Sequence, residues 1–279
     1  MVHVRRMSAE DFEFAVQLTD TMDWDLTEED FEFMMDLEPE GCFVAIEDSE
    51  KIGVTTTISY DRVGWIGNVI VSEKYRKRGV GALLVGHSLE YLTSKGVDSV
   101  GLYAYPHLVS FYGRAGFQKD SALVVLKGKA SSKIAKNRSG KTYARLIQEI
   151  IDLDALCFGA SREKLLNPIL SNTANLCYSK VEDGNVLGFI VGKTYSGVAE
   201  VGPMVCRKGR EDVAVDLLKT TLANLEGMEV SIYVLEKVPL VLDALLNLGF
   251  VEHFRLVRMF YGMSFGEDCI YAAESLERG

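Results

Sequence analysis

No stretch of eighteen or more apolar residues occurs in the chain, so no membrane-spanning helix is expected. The opening residues, MVHVRRMSAEDFEF, lack an apolar signal-peptide core ahead of their first acids, and the expected location is cytoplasmic. Cysteines number only 5 (Cys42, Cys157, Cys177, Cys206, Cys269) and form no Cys-x-x-Cys pair. The 4 histidines stand isolated, without the spacing of a ligand set. A structural metal and a disulfide framework are therefore not expected, and the thiols are read as buried and free. Positive charge is also in deficit: 30 Lys and Arg against 40 Asp and Glu give a net charge of −10. That balance argues against nucleic acid as the main partner.

Against this acidic background one cationic cluster stands out. Arg76, Lys77 and Arg78 directly precede Gly79-Val80-Gly81, between an apolar strand (WIGNVIV) and a segment with Leu84, Ser88, Tyr91 and Leu92 at helical spacing. Glycines let the backbone turn tightly and approach a ligand closely. The free N–H groups at a helix head favour an anion, and arginine adds bidentate phosphate contacts. A pyrophosphate is the natural occupant; the bland alternative is a charged turn. The other glycine loops do not fit. No GxxxxGK[ST] run exists here, NRSGKT at 137–142 lacks the first glycine, and Gly79-Val80-Gly81 is followed by Leu84 where GxGxxG needs glycine.

The 279 residues suffice for one large domain or two ordinary ones. Ser8 and Thr27 read as N-caps of two early helices. Residues 42–60 read as a β-hairpin, followed by the strand and helix around the cationic loop, a strand at VDSVGLYAY, a short helix closed by Gly116, and a last strand at SALVVLKG. The basic, polar stretch 128–142 reads as a linker. Beyond it the order of elements recurs. Residues 42–71 align without gaps on 177–206, with 7 identities in 30 positions, among them Gly53/Gly188, Tyr60/Tyr195 and Gly67/Gly202. The repeat is chemically uneven, because the second half has RKGREDVAV where the first has YRKRGVGAL. Its acids Glu211 and Asp212 would repel a phosphate.

The loop Arg76–Gly81 resembles the Gln/Arg-x-x-Gly-x-Gly/Ala loop of the GCN5-related N-acetyltransferase (GNAT) family, and YPHLVSFYGRAGF is similar to that family's later Tyr-x-x-x-Gly-Phe element. The second half resembles a degenerate acetyltransferase-like domain. The resemblance implies an α/β protein of two tandem acyl-CoA N-acyltransferase (GNAT-like) domains, each a mixed, mostly antiparallel sheet flanked by helices. Residues 1–127 would be the catalytic domain, 128–142 the linker and 143–279 the degenerate domain. It further implies acetyl-CoA as cosubstrate, with no metal, and acetyl transfer to a primary amine by direct attack in a ternary complex. Backbone groups of Val69 and Val71 would hold the pantetheine arm. The amides and side chains of Arg76, Lys77, Arg78, Gly79, Val80, Gly81 and Ala82 would hold the pyrophosphate. Tyr112 would protonate the departing thiolate; its alternative role is a packing aromatic.

On the acceptor side, Trp24, Asp25, Glu28 and Tyr60 are the candidates, with Asp23 beside them. An acidic rim with one tryptophan suits a cationic amine, while the same acids also suit a solvated helix start. The expected partner is a small-molecule amine, with neither nucleic acid nor membrane; monomer and homodimer both stay open. The strand RVGWIGNVIV carries no Asp or Glu, so the base that takes the amine's proton must come from elsewhere or act through water. The competing function is a CoA-binding sensor or regulatory module.

Overall fold

The computed structural model describes residues 1–131, 140–142, 144–195, 197–264 and 269–279. The first half runs β1 (Val2–Arg6), α1 (Phe12–Asp20), α2 (Glu28–Leu37), β2 (Cys42–Glu47), β3 (Glu50–Tyr60), β4 (Val63–Val71), α3 (Val80–Ser94), β5 (Ser99–Ala104), α4 (Val109–Arg114) and β6 (Gln118–Lys129). The second runs β7 (Gly140–Lys141), α5 (Ile147–Phe158), α6 (Glu163–Ser171), β8 (Leu176–Glu182), β9 (Asn185–Tyr195), β10 (Val198–Cys206), α7 (Glu211–Asn224), β11 (Glu229–Leu235), α8 (Pro239–Asn247), β12 (Val251–Tyr261) and β13 (Ile270–Ala272). From β2 to β6 and from β8 to β12 the element order is the same, as the internal repeat predicts.

Local chemistry sets the helix starts. The Asp11 carboxylate accepts from the Ser8 backbone N–H at 2.9 Å and from its hydroxyl at 3.1 Å, at the turn leading into α1. The Asp30 carboxylate accepts from Thr27 N–H at 2.9 Å while Asp30 N–H donates to Thr27 Oγ1 at 3.3 Å. Both are reciprocal capping boxes.

The strands form one sheet in the order β1-β2-β3-β4-β5-β12-β6-β11-β13-β10-β9-β8-β7. The halves exchange their last long strands. β6 leaves its own half to lie between β12 and β11, and β12 pairs with β5 of the first half from Val257↔Ala104 to Tyr261↔Val100. Each half thus completes the other's sheet, and the joint is a run of antiparallel β6–β12 pairing from Val251↔Lys127 to Phe260↔Gln118. One apolar core spans both halves, taking in Phe31, Met34 and Ile58 together with Leu166, Val201 and Ile232. Burying side chains of this size contributes about 1.5–3 kcal/mol each.

Two expectations need amendment. Cys157 near the end of α5 and Cys269 just before β13 form a disulfide with Cα atoms 5.7 Å apart, while Cys42, Cys177 and Cys206 are free. The 112-residue separation hides that pair from any spacing rule. The stretch read as a linker, 128–142, is structured at both ends. β6 continues to Lys129, and Gly140–Lys141 pair with Ser179 and Tyr178. Residues 132–139 lie outside the described residues.

Candidate active site

The cationic loop sits between the end of β4 and the head of α3. Lys77 (φ 63°) and Gly79 (φ 88°) adopt left-handed conformations, and Gly79 is held by that φ alone, since its Cβ position is open. The first bond of α3 runs from Leu83 N–H to Gly79 O at 3.0 Å. The N–H groups of Val80, Gly81 and Ala82 therefore have no intrahelical acceptor and point out of the helix head. Together with the helix dipole they present a head suited to an anion. The three cations do not act alike. Arg76 Nε donates to Val71 O at 2.9 Å, tying the loop to β4. Arg78 is engaged by Glu47 at 2.9 Å and stacks 4.9 Å from the centre of the Tyr75 ring. Lys77 is exposed and makes no ion pair among the described residues.

β4 and β5 pair in parallel only over Val63–Trp65 with Ser99–Gly101. Beyond those residues they diverge, while β3 continues to pair with β4 as far as Gly53↔Val71. The β5-facing edge of Val69 to Val71 is thus left without a strand partner, directly upstream of the loop. A register shift marks the start of this opening, where Asn68 takes φ 52°. Tyr112, on α4, is 6% exposed and packs against Phe111 and Phe117. Burial pushes its phenol well above its ordinary value, and its hydroxyl has no hydrogen-bond partner among the described residues. Tyr112 shares its apolar cluster with Val69 of β4.

On the other face of the sheet, Trp24 donates from Nε1 to the Tyr105 hydroxyl at 3.0 Å. Asp23, Asp25 and Glu28 are exposed around it, the two aspartates with left-handed φ. Tyr60 departs from its expected place in an open cleft. It is 1% exposed, and its hydroxyl donates to Arg278 O at 3.0 Å. The cause is the segment after β13, which fills this space. Ala273 lies against Gly202, Glu277 against Gly67, and Gly279 against the Trp65 ring. A Cβ on Gly202 would stand 1.9 Å from Ala273 O, and one on Gly67 2.6 Å from Glu277 O.

Charged groups lock this segment in place. Lys193 Nζ pairs with Glu274 at 2.6 Å and with Glu200 at 2.7 Å. Arg278 pairs with Glu274 at 2.9 Å and with Glu277 at 2.7 Å. Arg162 pairs with Asp154 at 2.6 Å and also donates to Gly279 O. Burial opposes the ionisation of Glu274, but Arg278 and Lys193 outweigh it and hold the carboxyl well below its usual range. Burial pushes Glu277 the other way, above its ordinary value. Sequence reasoning did not anticipate Glu274, Glu277 or Arg278 in this network. The available signal was the paired glycines, Gly67 and Gly202, whose identity reflects a shared need for space.

Sequence profiles of the acetyltransferase (GNAT) family and of the acetyltransferase (GNAT) domain match residues 4–117 and 150–271, respectively. The chain belongs to the GNAT family, in a tandem form. Among solved structures it is similar to a Pyrococcus horikoshii protein provisionally described as an acetyltransferase (22% identity, TM-score 0.80, covering 100% of this chain and 96% of that one). It is also similar to a GNAT protein from Sphaerobacter thermophilus (16% identity, TM-score 0.65, 96% and 97% covered). A curated relative, the uncharacterized N-acetyltransferase YitH of Bacillus subtilis, is 22% identical over 171 residues, which are 60% of this chain and 59% of that protein.

The two GNAT halves differ in what they can accept. In the first, the open β4 edge, the helix head and the loop fit an acyl-CoA, which would bring a pyrophosphate and a thioester carbonyl. In the second, the equivalent opening between β10 and β11 is filled by the chain itself. β13 pairs with β10 at Met204↔Ala272 and Val205↔Ile270, and with β11 at Val234↔Ala272. Arg210 at the head of α7 is held by Asp212 and Glu182 at 2.9 and 3.2 Å. That half does not fit the group. Among the described residues no cluster of His, Cys, Asp or Glu is arranged to hold a metal. A depression of about 390 Å³ lined by Arg5, Glu40, His87 and Tyr91 lies beside the C-terminal half of α3 and includes none of the expected site residues.

Proposed function

We propose that residues 1–127 form the catalytic half of an acetyl-CoA-dependent N-acetyltransferase whose acceptor is a primary amine, most simply that of a small molecule. The observation that carries this reading is the β4–β5 opening, which leads directly onto the free N–H groups of Val80, Gly81 and Ala82. The pyrophosphate would be held there, with Arg76, Lys77, Arg78 and Gly79 supplying positive potential and backbone contacts. Backbone groups of Val69 and Val71 would take the pantetheine arm in place of a strand, and an N–H near Val69 would stabilise the oxyanion. Tyr112, kept protonated by burial, would donate to the leaving sulfur. Trp24, its indole N–H held by Tyr105, would offer its ring to the acceptor, with Asp25 and Glu28 supplying negative charge.

Direct attack is favoured over an acyl-enzyme. Burial pushes the Cys42 thiol up to about 12 and the Cys177 thiol up to about 11, so neither is a thiolate at neutral pH. The second half, 143–279, would serve as wall and strand donor and bind no acyl-CoA.

Calorimetric titration with acetyl-CoA tests the reading, with Gly81→Asp as the comparison. One saturable site, lost when a carboxylate is placed at the helix head, is the expected result. It should be joined by thiol release with spermidine, glucosamine or Ala-Ala as acceptor. Two sites would refute the reading of the second half. Binding without thiol release for any acceptor class would favour a CoA-binding sensor, and no binding would sink the enzyme.

A further inference from the structure

We propose that Glu277, which the second half delivers on the segment after β13, accepts the acceptor amine's proton in the first half's site. The inference rests on the acetyl-transfer reading above and supplies the group that β4 lacks. No Asp or Glu occurs from Val63 to Val71, although the attacking amine must lose a proton there.

Position is the first argument. The Cβ site of Gly67 lies 2.6 Å from Glu277 O, 2.7 Å from its Cβ and 2.8 Å from its Cα, so Glu277 rests directly on β4. Gly67 is two residues before Val69, with only the left-handed Asn68 between them. It shares its face with Trp65, which looks toward the half of the core containing α2. Arg278 lies beside Met34 and Phe33 of that helix. Glu277 therefore stands at the mouth of the β4–β5 opening on the acceptor side, opposite the α3 and α4 face that carries Tyr112.

Accessibility and restraint are the second. The Glu277 side chain keeps 14% exposure, whereas that of Glu274 has none. Its neighbours hold the backbone fixed. Tyr60 binds Arg278 O, Lys193 and Arg278 grip Glu274, and Arg162 binds Gly279 O. A catalytic carboxylate needs such a supporting shell. The charged and titratable groups around it are Arg278 and Glu274 on its own segment, Lys193 on β9, Glu200 on β10 and Tyr233 on β11. Burial and the two glutamates outweigh the cations, and the carboxyl titrates above its ordinary value, closer to neutral pH, where a base is most effective.

The neutral amine forms the new C–N bond to the thioester carbonyl, and its N–H proton passes to Glu277. The C–S bond breaks, and the Tyr112 hydroxyl gives its proton to the sulfur. The phenolate recovers a proton through solvent as Glu277 loses one, leaving amide and thiol as the only products.

The test compares wild type with Glu277→Gln, using thiol release from acetyl-CoA with spermidine, glucosamine, Ala-Ala and water as acceptors across pH 5–9. The expected result is a fall in kcat of about 10²–10³-fold, an unchanged KM for acetyl-CoA, and loss of the acid limb of the pH–rate profile. Glu277→Asp should keep that limb with a smaller loss. A second readout needs no turnover. Protein carrying glutamate labelled with carbon-13 at Cδ should show one resonance, absent in Glu277→Gln, that titrates above the usual glutamate range and moves when acetyl-CoA binds. If wild type turns over and Glu277→Gln matches it in rate and pH profile, the inference is overturned while the acetyl-transfer reading stands. A Glu277 resonance indifferent to bound acetyl-CoA would overturn it equally. If wild type fails to bind acetyl-CoA, both fall.

Discussion

Replacing Gly67 with alanine adds a single methyl group to β4, and the structure fixes what that methyl meets. Its carbon would lie 2.6–2.8 Å from backbone and Cβ atoms of Glu277. None of these is the flexible end of a side chain, so the segment after β13 must lift by several tenths of an ångström. It is held by Tyr60, Lys193 and Arg162 and cannot do so freely. Overpacking of this kind costs about 1–3 kcal/mol. With an unfolding entropy of about 2.1 cal/mol/K per residue, a chain of this length should lose about 2–5 °C in Tm. Gly202→Ala should cost more, because its methyl would stand 1.9 Å from Ala273 O. Gly86→Ala is the internal control. It lies inside α3, its Cβ site has nothing within 4 Å, and alanine there should gain about 0.5–1 kcal/mol. Scanning calorimetry on the three variants should therefore give two decreases and one increase. If Gly67→Ala melts within 1 °C of wild type (roughly 0.6 kcal/mol by the same entropy) while Gly86→Ala melts higher, the segment is not seated on β4.

Cys157→Ser opens a loop of 112 residues, for which chain entropy predicts a loss of about 4–5 kcal/mol; urea unfolding with and without reductant reads it, and equal midpoints would show the thiols unpaired. Glu274 is ionised in the folded protein with its carboxyl held well below the usual range, so its contribution is complete above the unfolded value near about 4.3 and drains away as pH falls below it. Glu274→Gln should cost about 3–5 kcal/mol at pH 7 and flatten the loss of stability between pH 5 and 3; an unchanged acid limb would place that sensitivity elsewhere, Asp11 being the next candidate.

What was legible in the sequence was whatever rests on local chemistry. The Ser8–Asp11 and Thr27–Asp30 caps, the hairpin turn at Asp48 and Ser49, and the loop at Arg76–Gly81 each depend on residues within a few positions of one another. The strand exchange was not legible, because the run LVVL in β6 is apolar whether its neighbour is β5 or β12. Arg78 looked equivalent to Arg76 and Lys77 until Glu47, distant in sequence, engaged it. The most consequential omission was the last six residues. ESLERG has no apolar period and three charges, the pattern of a solvated tail, yet Glu274, Ser275 and Arg278 are buried. Only partners far away in the chain, such as Lys193 and Glu200, make that burial affordable.

The filled opening of the second half and the position of Glu277 beside β4 of the first have one structural origin. A splayed pair of strands leaves backbone N–H and C=O groups facing an opening, and buried groups of that kind must be paired. In the first half a pantetheine arm would satisfy them. The second half has acids at its helix head and no glycine where Gly81 stands, a poor fit for the same pyrophosphate. β13 takes that place, pairing with Met204 and Val205 where the first half has Val69 and Ile70. Once a strand lies in that opening, the chain beyond it must leave across Gly202, the one position of β10 without a side chain at that point. The sheet is continuous, so that direction leads toward β4, where Gly67 again leaves room. The second half, whose own opening is filled by β13, thereby seats Glu277 against β4 of the first.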